Sequence, residues 1–84
     1  MSKEKKVIGQ RIDTLCKERN LTLYGLANET GVPLTTLMHI VKGGTENPGI
    51  MTIIKLCAGL GMTLVEFFDT PEFLEMLEVV AEES

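Results

Sequence analysis

Thr35 and His39 stand one helical turn apart within the segment from Thr22 to Gly43, and Lys42 follows three residues later. A hydroxyl can donate or accept a hydrogen bond, an imidazole can donate to a purine N7 or a phosphate, and an ammonium attracts phosphate. Leu34 and Met38 add apolar surface beside them. Such side chains can rest on thymine methyls or on an apolar protein surface. Thr22 and Thr36 bring further hydroxyls able to donate to phosphate, and the N-terminal amides of the second and fourth helices can do the same. Lys55 and the trio Lys3, Lys5 and Lys6 are additional phosphate candidates, each with the plainer reading of a solvated charge. All of this is recognition chemistry, and none of it breaks a covalent bond.

Catalytic chemistry finds no footing. The chain has no Ser/His/Asp set, no paired carboxylates near a plausible pocket and no phosphate-cradling glycine loop. Gly59-Leu60-Gly61 reads as a helix end and not as a nucleotide fingerprint. One histidine and two distant cysteines, Cys16 and Cys57, lack the spacing of a metal or redox site. The cysteines read as reduced, inward-facing core residues. No enzyme activity, cofactor, metal or small-molecule effector is therefore expected. No apolar run is long enough to cross a bilayer, and the charged start has no signal-type stretch behind it, so the expected compartment is the cytoplasm.

The net charge of −4 is unevenly spread. Residues 1–44 carry seven basic side chains against four acidic, a balance of +3. Residues 45–84 carry one against eight, a balance of −7. Local charge governs phosphate attraction more than the total does. The half that holds Thr35, His39 and Lys42 is thus the half a polyanion would meet.

The elements that must position these residues are helices. Ile8, Ile12, Leu15 and Cys16 recur at spacings of three and four, which predicts a first helix over about 5–19. Asn20 suits its end, since it tolerates the left-handed conformation. Thr22 caps a second helix over 23–30 that buries Leu26 and Ala27. Gly31 makes the turn, and a third helix runs from Pro33 to Val41 with Val32, Leu37 and Ile40 facing inward. Gly43-Gly44 ends it, and 45–49 is a loop punctuated by Asn47-Pro48. A fourth helix over 50–60 has Ile50, Ile53, Ile54 and Cys57 as its inward stripe, with Gly61 as its cap. Thr63 and Glu66 form a capping box for a fifth helix over 64–68. Asp69-Thr70-Pro71 interrupts the chain, and a sixth helix over about 71–81 carries Phe73, Met76, Leu77 and Val80 on one stripe. The expected fold is all-α: one domain over 1–84, a compact bundle of five short helices with its core over about 5–68, plus a C-terminal helix.

This order of elements, with Leu26-Ala27, Gly31-Val32, Leu37, Ile40, Gly43, Asn47-Pro48 and Leu56 through Phe67, resembles the lambda repressor/Cro-type helix-turn-helix family, also called the XRE family. The resemblance covers about residues 8–68 and implies a lambda repressor-like fold. It implies that helix three is a recognition helix in the major groove of double-stranded DNA and that the chain regulates transcription as a homodimer. It makes Leu34, Thr35, Met38 and His39 the base-facing positions. The chain departs from the family pattern at Leu23, where a phosphate-contacting glutamine is usual, and at Pro33, where a polar residue usually begins the helix.

Two readings stay open on the C-terminal stripe. Phe73, Met76, Leu77 and Val80 either pair with a second chain or pack back on the bundle. The acidic residues around them form a solvated face that keeps this end off DNA. A second function class also fits the same fold: a protein-interaction module, antitoxin-like or an accessory subunit, gripping its partner through Leu34 and Met38 or through the last helix.

Overall fold

The computed structural model describes residues 3–42 and 48–83, with side chains from Val7 onward. Six helices follow one another: α1 (Lys3–Glu18), α2 (Leu23–Thr30), α3 (Leu34–Val41), α4 (Ile50–Leu60), α5 (Leu64–Phe68) and α6 (Pro71–Glu83). There is no strand among the described residues. The expected Gly43-Gly44 terminator, the loop from Thr45 to Asn47 and the side chains of Lys3, Lys5 and Lys6 lie outside what is described, while the backbone of those lysines belongs to α1.

Local signals fix most boundaries. Asn20 closes α1 at φ 55. Thr22 accepts a 3.0 Å hydrogen bond from the Gly25 amide and so starts α2. Gly31, at φ 77, ends α2 by donating its amide to the Ala27 carbonyl. Pro33 stands at the N-cap and not inside α3, which begins at Leu34. Its ψ of 141 is extended, so the helical run starts one residue later. Thr63 and Glu66 form the full reciprocal capping box at α5. The backbone and hydroxyl bonds from Thr63 hold the Glu66 carboxyl below its ordinary pKa.

The core is aliphatic around one ring. Ile12, Leu26, Leu37, Ile40, Leu56 and Phe67 are fully buried. Phe67 meets Phe68 edge-on with centroids 4.9 Å apart, and Phe68 meets Phe73 in the same way at 4.9 Å. This aromatic chain ties α5 to the start of α6. Cys16 and Cys57 are free and buried, as expected, and burial raises both thiol pKa values. The Asp13 carboxylate pushes Cys16 further up.

Two helices are rotated from the expected register. Ile50 and Ile54 are exposed, at 60% and 38%, and do not face inward. The buried stripe of α4 is Ile53, Leu56, Cys57 and Leu60, at i, i+3, i+4 and i+7. The apolar character of α4 extends around most of its circumference, so periodicity alone could not choose the face. On α6, Phe73 and Met76 are half-buried while Leu77 is 68% exposed and Val80 is 48% exposed. The expected single stripe is thus split. Phe73 packs against the core, and Leu77 and Val80 join exposed Leu74 on the outer side.

What turns α4 is contact with α2. A Cβ at Gly59 would lie 2.6 Å from Thr30 Cγ2, 2.7 Å from the Glu29 carbonyl oxygen and 2.7 Å from Thr30 Cα. At Gly9 it would lie 2.6 Å from the Ile40 carbonyl oxygen and 3.1 Å from Val41 Cα. Both glycines allow backbones to approach where no side chain fits. Gly59→Ala and Gly9→Ala should therefore each lower stability by about 1–3 kcal/mol, the usual cost of overpacking, read as the shift in urea midpoint. Thr30→Ser in the Gly59→Ala background should recover only part of the loss, because two of the three clashes are with backbone. Full recovery would show that the contact is with the side chain alone.

Candidate nucleic-acid interface

The turn between α2 and α3 is tied by one side chain. The Thr30 hydroxyl donates to the Leu26 carbonyl at 2.8 Å and accepts from the Val32 amide at 3.3 Å. Val32 is then buried beneath the turn. Leu37 and Ile40 bury the inner face of α3 at 0% and 1% exposure. These anchors fix the rotation of α3 and decide what it shows to solvent.

The outward face is Thr35, Met38, His39 and Lys42, spaced i, i+3, i+4 and i+7, all exposed. Met38 is the least exposed of them at 36%. Leu34 and Thr36 are half-buried and flank this stripe. Of the four positions expected to face outward, Thr35, Met38 and His39 do so fully. Leu34 does so in part, because it lies one residue off the stripe.

An open groove of about 500 Å³ runs beside the stripe. Thr35, Thr36 and His39 line it from α3, and Pro48, Gly49 and Thr52 line it from the start of α4. Gly49 caps α4 with no side-chain hydrogen bond, and the Thr52 amide donates to the Gly49 carbonyl at 3.0 Å. The groove therefore joins two hydroxyls and an imidazole on one wall to a helix N-terminus on the other. Sequence reading had not included Thr52, Pro48 and Gly49. They enter through α4 packing; the local signals there, Pro48 as turn punctuation and the helix-four amides as phosphate donors, mark the helix start and do not reveal the groove.

Thr22 lies at the N-terminus of α2, exposed. Its oxygen already accepts the Gly25 amide, which leaves its hydroxyl proton free to donate outward. Lys55 is exposed on α4 and lines neither wall of the groove.

Among the residues whose side chains are described, the other cations of the first half, Arg11, Arg19 and Lys17, are engaged elsewhere. Arg11 donates Nε to the Phe67 carbonyl at 2.7 Å and a terminal nitrogen to the Glu66 carbonyl at 2.9 Å. Its guanidinium also sits 5.7 Å from the Phe67 ring centroid. Arg19 donates to the Leu60 carbonyl at 2.9 Å. Lys17 pairs with Asp13 one turn away at 3.1 Å. Both arginines thus satisfy carbonyls at helix C-termini, α5 for Arg11 and α4 for Arg19. The +3 balance overstates the charge available on the α3 side.

Among the described residues no group of three His, Cys, Asp or Glu side chains could hold a metal ion, and no helix is long and apolar enough to cross a membrane.

Comparison with known proteins agrees with this geometry. Residues 11–72 match the family model of the Cro/C1-type HTH DNA-binding domain. The crystal structure of an HTH_3 family transcriptional regulator from Vibrio cholerae superposes with a TM-score of 0.75 at 31% identity. That alignment covers 87% of this chain and 42% of the Vibrio chain, so this chain spans less than half the length of that regulator. No curated protein matches.

Since Arg11 and Arg19 bind carbonyls, their loss should register in stability. Arg11→Met should lower it by about 1–3 kcal/mol, the range for hydrogen bonds from a charged donor to exposed or half-buried acceptors. Arg11→Lys should recover less than half, because an ammonium cannot span two carbonyls as the guanidinium fork does. Thermal unfolding followed by circular dichroism gives the answer. An unchanged midpoint for Arg11→Met would mean that this arginine is not a structural clamp.

Proposed function

The chain belongs to the Cro/C1-type helix-turn-helix DNA-binding family, and from that premise we propose that it is a small transcriptional regulator that reads double-stranded DNA with α3 in the major groove. The observation that carries this reading is the stripe of Thr35, Met38, His39 and Lys42 along one exposed face of a helix locked by the Thr30–Gly31 turn. A helix held in that way fits the width of the major groove. Thr35, Met38 and His39, with Leu34 at the edge, meet base edges. Lys42, Thr36, Thr22 and the first amides of α4 meet phosphates.

The chain acts as a homodimer in this proposal. The outer face of α6 carries Leu74, Leu77 and Val80, all exposed. Phe73 and Met76 support that helix from its half-buried side. An isologous pairing of two such faces would set two recognition helices about 34 Å apart, one turn of DNA. Glu72, Glu78, Glu82 and Glu83 make this end acidic, which directs phosphate toward the opposite part of the molecule. The support for a regulatory role is the fold shared with the Vibrio regulator.

Titration against random-sequence duplex DNA tests the core of the proposal. Binding should be present at low salt, with log K against log salt falling with a slope of about −2 per protomer, since few cations reach the α3 side. Absence of binding at low salt would overturn DNA recognition and favour a protein-interaction role. The double variant Thr35→Ala, His39→Ala should bind a selected operator about tenfold or more weakly, from two lost base contacts, with an unchanged thermal midpoint.

Dimerisation has a separate test. Size-exclusion chromatography with light scattering should give twice the chain mass for the unaltered protein and the single-chain mass for Leu77→Lys. A monomer at high concentration in the unaltered protein would remove α6 as an interface.

A further inference from the structure

We propose that the recognition face selects thymine methyl groups, so that the operators of this protein carry A·T pairs where Met38, Leu34 and Thr35 meet the duplex. This rests on the reading of α3 as the DNA-contacting helix and names what that helix prefers. The whole of α3 is Leu-Thr-Thr-Leu-Met-His-Ile-Val. It contains no Arg, Lys, Asn, Gln, Asp or Glu. Those are the residues that grip guanine, adenine or cytosine through paired hydrogen bonds. Base choice on this helix must come from other chemistry.

Two kinds of group remain on the exposed side. Thr35 and His39 offer single hydrogen bonds. A lone imidazole donor reaches the N7 acceptor of adenine and guanine alike, so His39 distinguishes purine from pyrimidine and little more. Met38 and half-buried Leu34 offer only apolar surface, and the Thr35 side chain adds a methyl. Set against a guanine or cytosine edge, Met38 would strip water from polar atoms and return no hydrogen bond, which is unfavourable. Set against the C5 methyl of thymine, it removes apolar surface from water at no such cost. The same side chain therefore attracts one base and repels the others.

The surroundings reinforce this choice. Arg11 and Arg19 are engaged with the carbonyls of Phe67, Glu66 and Leu60 and do not reach into the site. Lys42 sits at the last turn of the stripe, beyond α3 itself. Met is unbranched and adaptable, so it can follow a methyl whose position varies with local DNA shape.

The experiment uses the full chain and a randomised duplex pool. Rounds of selection should enrich half-sites with thymine at two or more neighbouring positions. Each enriched thymine is then replaced in synthetic duplexes by deoxyuridine, which lacks only the methyl. Affinity should fall about fourfold per contacted methyl, the worth of one buried carbon group. Met38→Ala should bring the thymine-to-deoxyuridine ratio at one position close to one. Met38→Gln should move the preference there from thymine to adenine, because a glutamine grips the adenine edge. Met38 is exposed, so neither variant disturbs the core. Equal binding of thymine and deoxyuridine duplexes, or enriched half-sites of G·C pairs alone, would overturn the proposal while leaving DNA binding intact. Failure to bind any duplex at low salt would instead overturn the reading of α3 on which it stands.

Discussion

Two close backbone approaches, at Gly59 and Gly9, hold the geometry of α3. Gly59 of α4 meets Glu29 and Thr30 at the end of α2, at a spacing that would put a Cβ 2.6–2.7 Å from three of their atoms. Thr30 is also the residue whose hydroxyl spans the turn, donating to Leu26 and accepting from Val32. The turn is thus gripped from outside by α4 and from within by a side-chain bridge. Its angle sets where α3 points. Gly9 performs the matching service on the far side, where α1 meets the end of α3 at Ile40 and Val41. With the turn before α3 and the last residues of α3 each pressed against a neighbouring backbone, the outer face of α3 has little freedom to tilt. Contacts of this kind matter for a reader of DNA, because a helix in the major groove tolerates small errors of position poorly.

The distribution of cations follows a related logic. A domain of this size has few long side chains with which to close its helix ends. Arg11 and Arg19 both emerge from α1 and reach carbonyls at the ends of α5 and α4. Each joins elements more than forty residues apart in the chain, and each places positive charge at a helix C-terminus, where the dipole favours it. The arginines that might have raised the field around α3 are instead part of the scaffold. Among the described residues, the exposed side chains on the outer face of α3 are Thr35, Met38, His39 and Lys42.

The legible part of the sequence was the local part. Thr22, Asn20, Gly31, Gly61 and the Thr63/Glu66 box act through bonds that close within a few residues, so their types alone reveal them. The boundaries of α2, α4 and α5 follow directly. The inner face of α3 was legible for a different reason: Leu34 and Met38 are apolar too, and it was the family resemblance, which buries Leu37 and Ile40, that selected one side. On α4 and α6 periodicity alone did not select the observed side. Ile50 and Ile54 differ from Ile53 and Leu56 only in which side meets α2, and that is decided by Gly59, a residue whose role lies in having no side chain. The arginine bridges were hidden because their acceptors are backbone carbonyls, which every residue has. The candidate site was therefore half readable: the outer face of α3 and the first amides of α4 could be named from sequence, while the groove that brings Thr52, Pro48 and Gly49 beside α3 required the packed structure.

An acidic chain is an unusual partner for a polyanion, and the arrangement found here turns that into a consequence for selectivity. Non-specific DNA binding is supplied almost entirely by phosphate neutralisation, while specific binding adds contacts with bases. A domain with few available cations and a C-terminal half at −7 has a weak hold on arbitrary sequence. Its affinity for a cognate site is reduced as well, but the ratio between the two depends on base contacts, which charge does not weaken. In a genome the competing sites are many, and occupancy of the correct one depends on that ratio as well as on the absolute constant. The proposed apolar readout through Met38 and Leu34 belongs to the same strategy, since it discriminates by the presence of a methyl and adds no charge. The two features that argue against DNA binding when taken singly, low positive charge and an apolar face, together fit the proposed reader, one that binds modestly and chooses by thymine methyl groups.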